Sequence, residues 1–404
     1  MDTPPIERRS RKEAAPVFAG VMIGAVVLYL VMSALQPMLM ENHLLPDFLT
    51  LLNGCMDKDV ASYVYWFFED LSESNFIASM PAAIGLAIGG FISAYLERKG
   101  SVHAGPGVDG NGHVFTAMFF VSALGAAVSL IVFGGFFPGF TGWIPTFAVI
   151  LIASPMIIHF GASAAKLVTI FIASTLTTFP VAYLIITYVA IPLGFPPFLG
   201  VSITITLLVP LLTFIVKRFP WMAREEKPAP EGKPPLYNAS PTRFFLHRVF
   251  GDMGELPVYG SSWAAVGLLI GTIVAWVMNP LEPGYGAGNV PLLLASQIAV
   301  AALAIFIYYP KWRAEGWAFT FPGIVLVSAI VGKYAVSGTP ADIVVAVLTI
   351  IVGAVVFVPL IEKVQKLVHY QGQYHVIGTI QGSIFPVVIV WSLILMYVVL
   401  PLVG

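Results

Sequence analysis

Charge is what this chain has least of. Only 10% of its 404 residues are Asp, Glu, Lys or Arg, against roughly 25% in a soluble domain. That is too little to cover a water-facing surface, and with 58% of residues hydrophobic the solvent is mostly lipid. Cysteine is nearly absent: Cys55 stands alone, which excludes an internal disulfide and a cysteine-rich metal site. Also missing are His-Glu-x-x-His, Gly-x-Ser-x-Gly, any Asp-rich metal motif and any phosphate-cradling glycine loop. Those absences argue against a membrane metalloprotease, a lipid hydrolase, a metal-dependent prenyl transferase and a nucleotide-driven pump. No cofactor is implied, and nothing supports nucleic-acid binding. No Asp or Glu falls deep in an apolar run, so a proton relay on buried carboxylates is not expected. Na+ coupling through hydroxyls and backbone carbonyls is favoured over a carboxylate-borne proton.

What is present is a series of apolar runs near the roughly 20 residues a bilayer crossing needs. They fall at about 15–37, 76–96, 114–135, 143–159, 166–191 and 196–217, then at about 261–281, 291–309, 317–334, 340–361 and 375–402. The expectation is an all-α polytopic membrane protein of about eleven spans. With the amino terminus inside and the loops alternating, all twenty basic residues but Lys58 and Lys333 collect on one side. That is the positive-inside asymmetry, and it puts the carboxyl terminus outside. Trp143, Trp221, Trp263, Trp312 and Trp317 stand at span ends, as an aromatic belt would place them. The first span lacks a cleavage site and reads as retained.

The organisation that follows is a basic cytoplasmic tail (1–14), a first membrane unit (15–191) and a connecting sixth span (192–217). A cytoplasmic linker (218–260) then leads to a second membrane unit (261–404). The outside loop 38–75 holds "DVASYVYWFFEDL", read as an amphipathic helix on the membrane surface. The linker carries "REEKPAPEGKPP" and then "TRFFLHRVF", a basic aromatic segment read as an anchor at the inner interface.

The two membrane units read as one text written twice. "GVMIGAVVLYLVMSALQP" (20–37) matches "GLLIGTIVAWVMNPLEP" (267–283) with one gap. "IASMPAAIGLAIGG" runs beside "LASQIAVAALAIFI", and "FTAMFFVSALG" beside "FTFPGIVLVSAIVG". The series closes on "FPVAYLIITYVAIPL" and "FPVVIVWSLILMYVVLPL". Four matches in the same order predict a duplication. Since six spans precede the second copy, both copies enter from the same side. They are parallel repeats of five helices about an axis along the membrane normal. The Gly20/Gly24 and Gly267/Gly271 pairs predict close helix packing.

Pro180 and Pro386 fall at matching places in the two units. Each removes an amide hydrogen and clashes with the carbonyl one turn earlier, and in hydrocarbon the freed carbonyl needs a partner. Ser174, Thr175, Thr177 and Thr178 precede the first; Thr379, Gln381 and Ser383 precede the second. Paired discontinuous helices point to a transport site near the midplane, so Thr177, Thr178, Pro180, Thr379, Gln381, Ser383 and Pro386 are its expected members. The bland alternative is a pair of kinks whose hydroxyls satisfy their own backbone. Gln297, inside the eighth span, is read as a packing amide or a ligand contact. His159 and His369, each upstream of a Phe-Pro, are read as interfacial or as lining an inner vestibule.

The functional expectation is a secondary transporter, not an enzyme. It moves a small polar organic solute by alternating access in the cytoplasmic membrane of a bacterium or archaeon. A homodimer is left open. The alternative is a membrane scaffold or partner subunit. A third reading, resting on the two histidines, is an intramembrane enzyme acting on lipid-linked substrates.

Overall fold

The computed structural model describes residues 10–73, 76–101, 103, 114–134, 145–223, 239–254, 261–315, 318, 320–368, 377–399 and 401, with backbone alone at 365–368, 377–384 and 399. The described residues form helices and connections. The first part of the chain gives α1 (Ala15–Leu39), the short α2 (Phe48–Met56) and α3 (Val60–Glu73), then α4 (Met80–Arg98) and α5 (Phe115–Phe133). It continues through α6 (Ala148–Phe160), α7 (Ala164–Ile185) and α8 (Pro197–Val216). The second part gives α9 (Pro241–Gly254), α10 (Ser262–Met278), α11 (Val290–Ile307) and α12 (Tyr309–Glu315). It ends with α13 (Pro322–Tyr334), α14 (Pro340–Val352), α15 (Val358–Val368) and α16 (Ile377–Ile394).

Each expected apolar run is a helix. Seven are long and apolar enough to cross a membrane by length and composition; those around α6, α10, α13 and α16 are shorter. This is a multi-span helical membrane protein. Starts follow local chemistry: Pro sits in the first turn of α4, α8, α11, α13 and α14, where its missing amide hydrogen costs nothing. Asp47 caps α2 through the Thr50 amide at 2.8 Å, and Ser261 caps α10 through the Ala264 amide at 3.0 Å. Gly161, at φ 96°, ends α6, a conformation few other residues adopt cheaply.

The α6 and α13 helices have 13 residues each and are buried almost all round. At 1.5 Å per residue they are about 20 Å long, short of a bilayer's hydrocarbon core. They are the filling of the bundle, walled from lipid by longer helices.

The most intimate packing joins the two parts of the chain: α4 lies on α10 and α1 on α11. Gly267 and Gly271 of α10 present bare backbone to Gly85 and Pro81 of α4, and Gly89 does the same against Trp263. Phe18 stacks on Phe306 with ring centroids 4.3 Å apart across the α1–α11 contact. The expectation of two equivalent Gly-x-x-x-Gly seams needs correcting: Gly20 and Gly24 face open space, with nothing within 4 Å of a would-be Cβ. They lie on an exposed face of α1 that also shows Ile23 and Val27, the surface a helix turns to lipid.

Two segments read as surface helices are packed instead. The "TRFFLHRVF" segment forms α9, which buries Phe244, Phe245 and Val249 against α10 and α11. Its Arg248 pairs with Asp252 at 2.9 Å and lies 3.8 Å from the Trp312 ring centre. Trp312 is therefore buried, not a belt residue. The "SYVYWFFEDL" segment forms α3, which buries Trp66 and its carboxyl-terminal turn against α4, α5 and α2.

Candidate functional site

The paired prolines come first. The expected discontinuities are absent: α7 runs unbroken through Pro180 and α16 through Pro386. On α7 the carbonyl that Pro180 frees is that of Leu176, and the nearby hydroxyls bond others. Ser174 donates to the Ile170 carbonyl at 2.7 Å and Thr177 to the Ala173 carbonyl at 2.6 Å, each satisfying the backbone of its own helix. The departure from α-geometry appears downstream instead, as a wide π-turn at Ile186–Ala190 and another at Leu395–Val399. Such local adjustment is one way a membrane helix accommodates proline.

The prolines' helices are not packed on one another; α6 and α8 lie between them, each touching both. Thr178 and its neighbour Thr175 turn into the bundle, buried, and their hydroxyls have no hydrogen-bond partner. Pro180 and Pro386 are both half-buried. The side chains of Thr379, Gln381 and Ser383 and the whole of His369 lie outside the described residues. His159 closes α6 with its ring edge-on to Phe160 at 4.5 Å. Gln297 donates to the Ser328 hydroxyl at 2.8 Å, from α11 to α13.

A second constellation was missed. At the end of the bundle where α4 begins, four carboxyl groups are buried: Glu69, Asp70 and Glu73 from α3, and Glu282 from the loop after α10. No Asp or Glu was expected deep in an apolar run, and these acids lie outside those runs, on α3 and in the loop after α10; their burial is what the sequence did not show. Both carboxyl oxygens of Glu69 lack a hydrogen-bond partner. The polar groups nearest Asp70 are the Thr146 hydroxyl, the Phe147 amide and the Trp66 indole; the indole itself donates to Thr146 at 3.3 Å.

Glu282 is held differently. One oxygen accepts from the Ser79 hydroxyl and from the Met80 amide, both at 3.1 Å. That is the first turn of α4, where free amides and the helix dipole favour negative charge. Its other oxygen has no partner. Burial pushes Glu282 up to about 8, the two donors working against the shift. Burial also pushes Glu69 well above the carboxylate range, and the neighbouring Glu282, Glu73 and Asp70 carboxyls add to it. The Tyr285 hydroxyl, buried beside Glu73 and hydrogen-bonded to it, is pushed up as well, by burial first. Cys55, on α2, is fully buried; burial first, then the nearby Asp70, Glu69 and Asp59 carboxyls, push its thiol up.

The acidic end is stitched across the two parts of the chain by backbone. The Gly284 amide donates to the Ala78 carbonyl at 2.7 Å, and the amides of Leu44 and Phe48 donate to the carbonyls of Met278 and Leu281. Asn279 reaches the Leu45 carbonyl at 2.8 Å, and Gln36 the Gly288 carbonyl at 2.5 Å. Among the described residues no group of three metal-ligating side chains converges as a metal site would require. Comparison with protein-family models, with curated proteins and with solved structures yields no match.

Proposed function

We propose that this chain is a secondary transporter for a small polar solute, built from two parallel five-helix halves that move against each other. The observation that carries the proposal is the buried carboxyl pair Glu69 and Asp70 beside Glu282, with Glu69 partnerless, at the meeting of the two halves. Ionisable groups within a membrane protein's interior are costly and mark ion and substrate pathways by default. Packing alone gives no reason to keep them.

Three features support the two-half architecture. The strongest inter-helix contacts are α4 with α10 and α1 with α11, and a twofold that exchanges the halves converts one into the other. The π-turns Ile186–Ala190 and Leu395–Val399 fall at the same place in the matched Tyr-Val-x-x-Pro-Leu endings. In the matched Leu-x-Pro endings of α1 and α10, Gln36 stands where the second copy has Glu282. Each reaches across to the chain at or just before the start of the other half's second span. With the basic residues inside, the acidic end faces outward.

The solute site is proposed on the buried hydroxyls of α7, Thr175 and Thr178, rather than at broken helices. The experiment is a thermal-shift screen of the purified protein against solute libraries, with each hit then tested for accumulation in proteoliposomes. A stabilising solute that is accumulated supports transport. Absence of any accumulated solute supports the scaffold reading, which the unbroken α7 and α16 favour.

A further inference from the structure

We propose that Glu69 and Glu282 form a proton-binding site across the seam between the halves, and that the proton is the coupling ion. The inference rests on the transporter reading above and deepens it. Its basis is geometric. Glu69 comes from α3 in the first half and Glu282 from the α10–α11 loop in the second, so their state of charge bears on whether the halves stay together at this end.

The surroundings name the ligand. The groups acting on Glu69 are carboxyls: Glu282, Glu73 and Asp70. Asp70 faces a hydroxyl, an amide and an indole, with Glu69 and Cys55 also near. Cys55, from α2, is a buried thiol, and Glu73 is engaged by the Tyr285 hydroxyl. Four ionised carboxylates could not share so small a dry volume, because each would lose its hydration and repel the others. Neutralisation by a multivalent cation would need converging oxygens, and the described residues do not converge in that way. Protons need only the carboxyl oxygens themselves.

The two acids are graded. Glu282 keeps two donors from α4 and is the first to ionise as pH rises. Glu69 has no donor and holds its proton longer. With both protonated, α3 and the Glu282 loop lie together as observed. Loss of the proton from Glu282, followed by that from Glu69, places like charges on the two sides of the seam and lets water in from the outer face. Proton binding closes the outer end; proton release opens it. The first half's counterpart of Glu282 is the neutral Gln36, so only one of the two equivalent seams carries the switch.

Cys55 is a native reporter: it is the chain's single cysteine and is fully buried beside the acids. The test is labelling of the intact protein in nanodiscs with a membrane-impermeant maleimide between about pH 6 and about pH 9, with rates normalised to the unfolded chain at each pH. The wild type should gain on the order of tenfold in normalised rate across that interval. Glu69→Gln and Glu282→Gln should stay near the low-pH rate throughout. Removing a charge beside Cys55 would by itself raise thiol reactivity, so a lower rate in the variants has the opposite sign to that artefact. A flat wild-type profile, or variants that follow the wild type, overturns the proton site. A second measurement needs no variant: the wild-type melting temperature should fall as pH rises toward and past 8, and a rise would equally overturn it. Neither measurement involves solute, so this inference can fail while uptake in proteoliposomes still supports transport, and the reverse.

Discussion

Gly267 offers the most direct test of how the two parts of the chain are held together. A methyl group at that position would meet the Gly85 carbonyl carbon at 2.6 Å and the Leu86 nitrogen at 3.3 Å, with the carbonyl oxygen closer still. Ordinary carbon–carbon contacts lie at about 3.5–4.0 Å, so α4 and α10 would have to part by about 1 Å. Both atoms are backbone, and no side-chain rotation can relieve the clash. A gap of about 1 Å forfeits a quarter to a half of each dispersion contact along the seam, and overpacking of this kind costs about 1–3 kcal/mol or more. Gly267→Ala should therefore lower the melting temperature of the purified protein by several degrees. Gly24→Ala, in the matched motif on α1, should leave it unchanged, because nothing lies within 4 Å. A thiol-reactive fluorophore reads the transition cleanly, since the one cysteine is buried until the fold opens. If Gly267→Ala melts with the wild type, or Gly24→Ala is equally damaging, the α4–α10 seam is not the principal contact and the packing argument fails.

Other expectations follow from the same geometry. Ionisation of Glu282 is tied to folding: its protonated form is favoured in the fold, so its contribution is complete below the ordinary Glu range and is lost as pH rises through about 8. At about 1.4 kcal/mol per unit this amounts to roughly 4–5 kcal/mol, measurable as a pH-dependent melting temperature that flattens in Glu282→Gln. Gln297→Leu removes the 2.8 Å bond to Ser328 and should cost about 1–2 kcal/mol without altering solute binding; loss of binding alone would make Gln297 a ligand contact. Thr178→Val replaces a buried, partnerless hydroxyl by a similar volume, so stability should hold or rise by about 1 kcal/mol while solute-induced stabilisation disappears. In a chain whose Cys55 is replaced by Ser, Thr50→Cys should be labelled only from outside and Pro230→Cys only from the cytoplasm. Labelling of both from one side would refute the alternating topology.

The apolar helices were legible because lipid demands them: a crossing segment must satisfy its backbone internally and show hydrocarbon a continuous apolar face. Runs such as 15–37 and 196–217 accordingly became α1 and α8 with boundaries shifted by a residue or two. The acidic seam was not legible, for a reason equally physical. Glu69 and Glu282 are about two hundred residues apart, and nothing local in "YWFFEDL" states that its acids turn inward while Val60 and Val64 stay exposed. Two signals were there. Glu69, Asp70 and Glu73 follow Trp66, Phe67 and Phe68 in a loop whose only cation is Lys58, so exposed pairing had no partner to offer. The matched Leu-x-Pro endings also differ in their one polar residue, Gln36 against Glu282. The prolines misled in the opposite direction. Pro180 suggested a break, yet α7 continues through it, and the Ser174 and Thr177 hydroxyls bond the Ile170 and Ala173 carbonyls of their own helix.

That reversal decides where function is sought. A hydroxyl bonded to its own helix one turn back costs little to bury and carries little information, so the Ser174 and Thr177 bonds are as natural in a scaffold as in a transporter. A buried carboxyl is different in kind. Replacing buried ionisable groups with apolar residues of similar volume is often neutral or stabilising, so a chain needing only to hold its helices together would gain by losing Glu69 and Asp70. Glu69 has no partner that would be stranded by the change. Glu282 cannot be dismissed in that way, because Ser79 and Met80 depend on it, yet the amide at the equivalent Gln36 shows that an uncharged side chain could serve. Three carboxyls remain where a packing protein would keep none of them, and they stand at the end of the bundle where its two parts meet. The cost of holding them there is the strongest argument that the seam is meant to open.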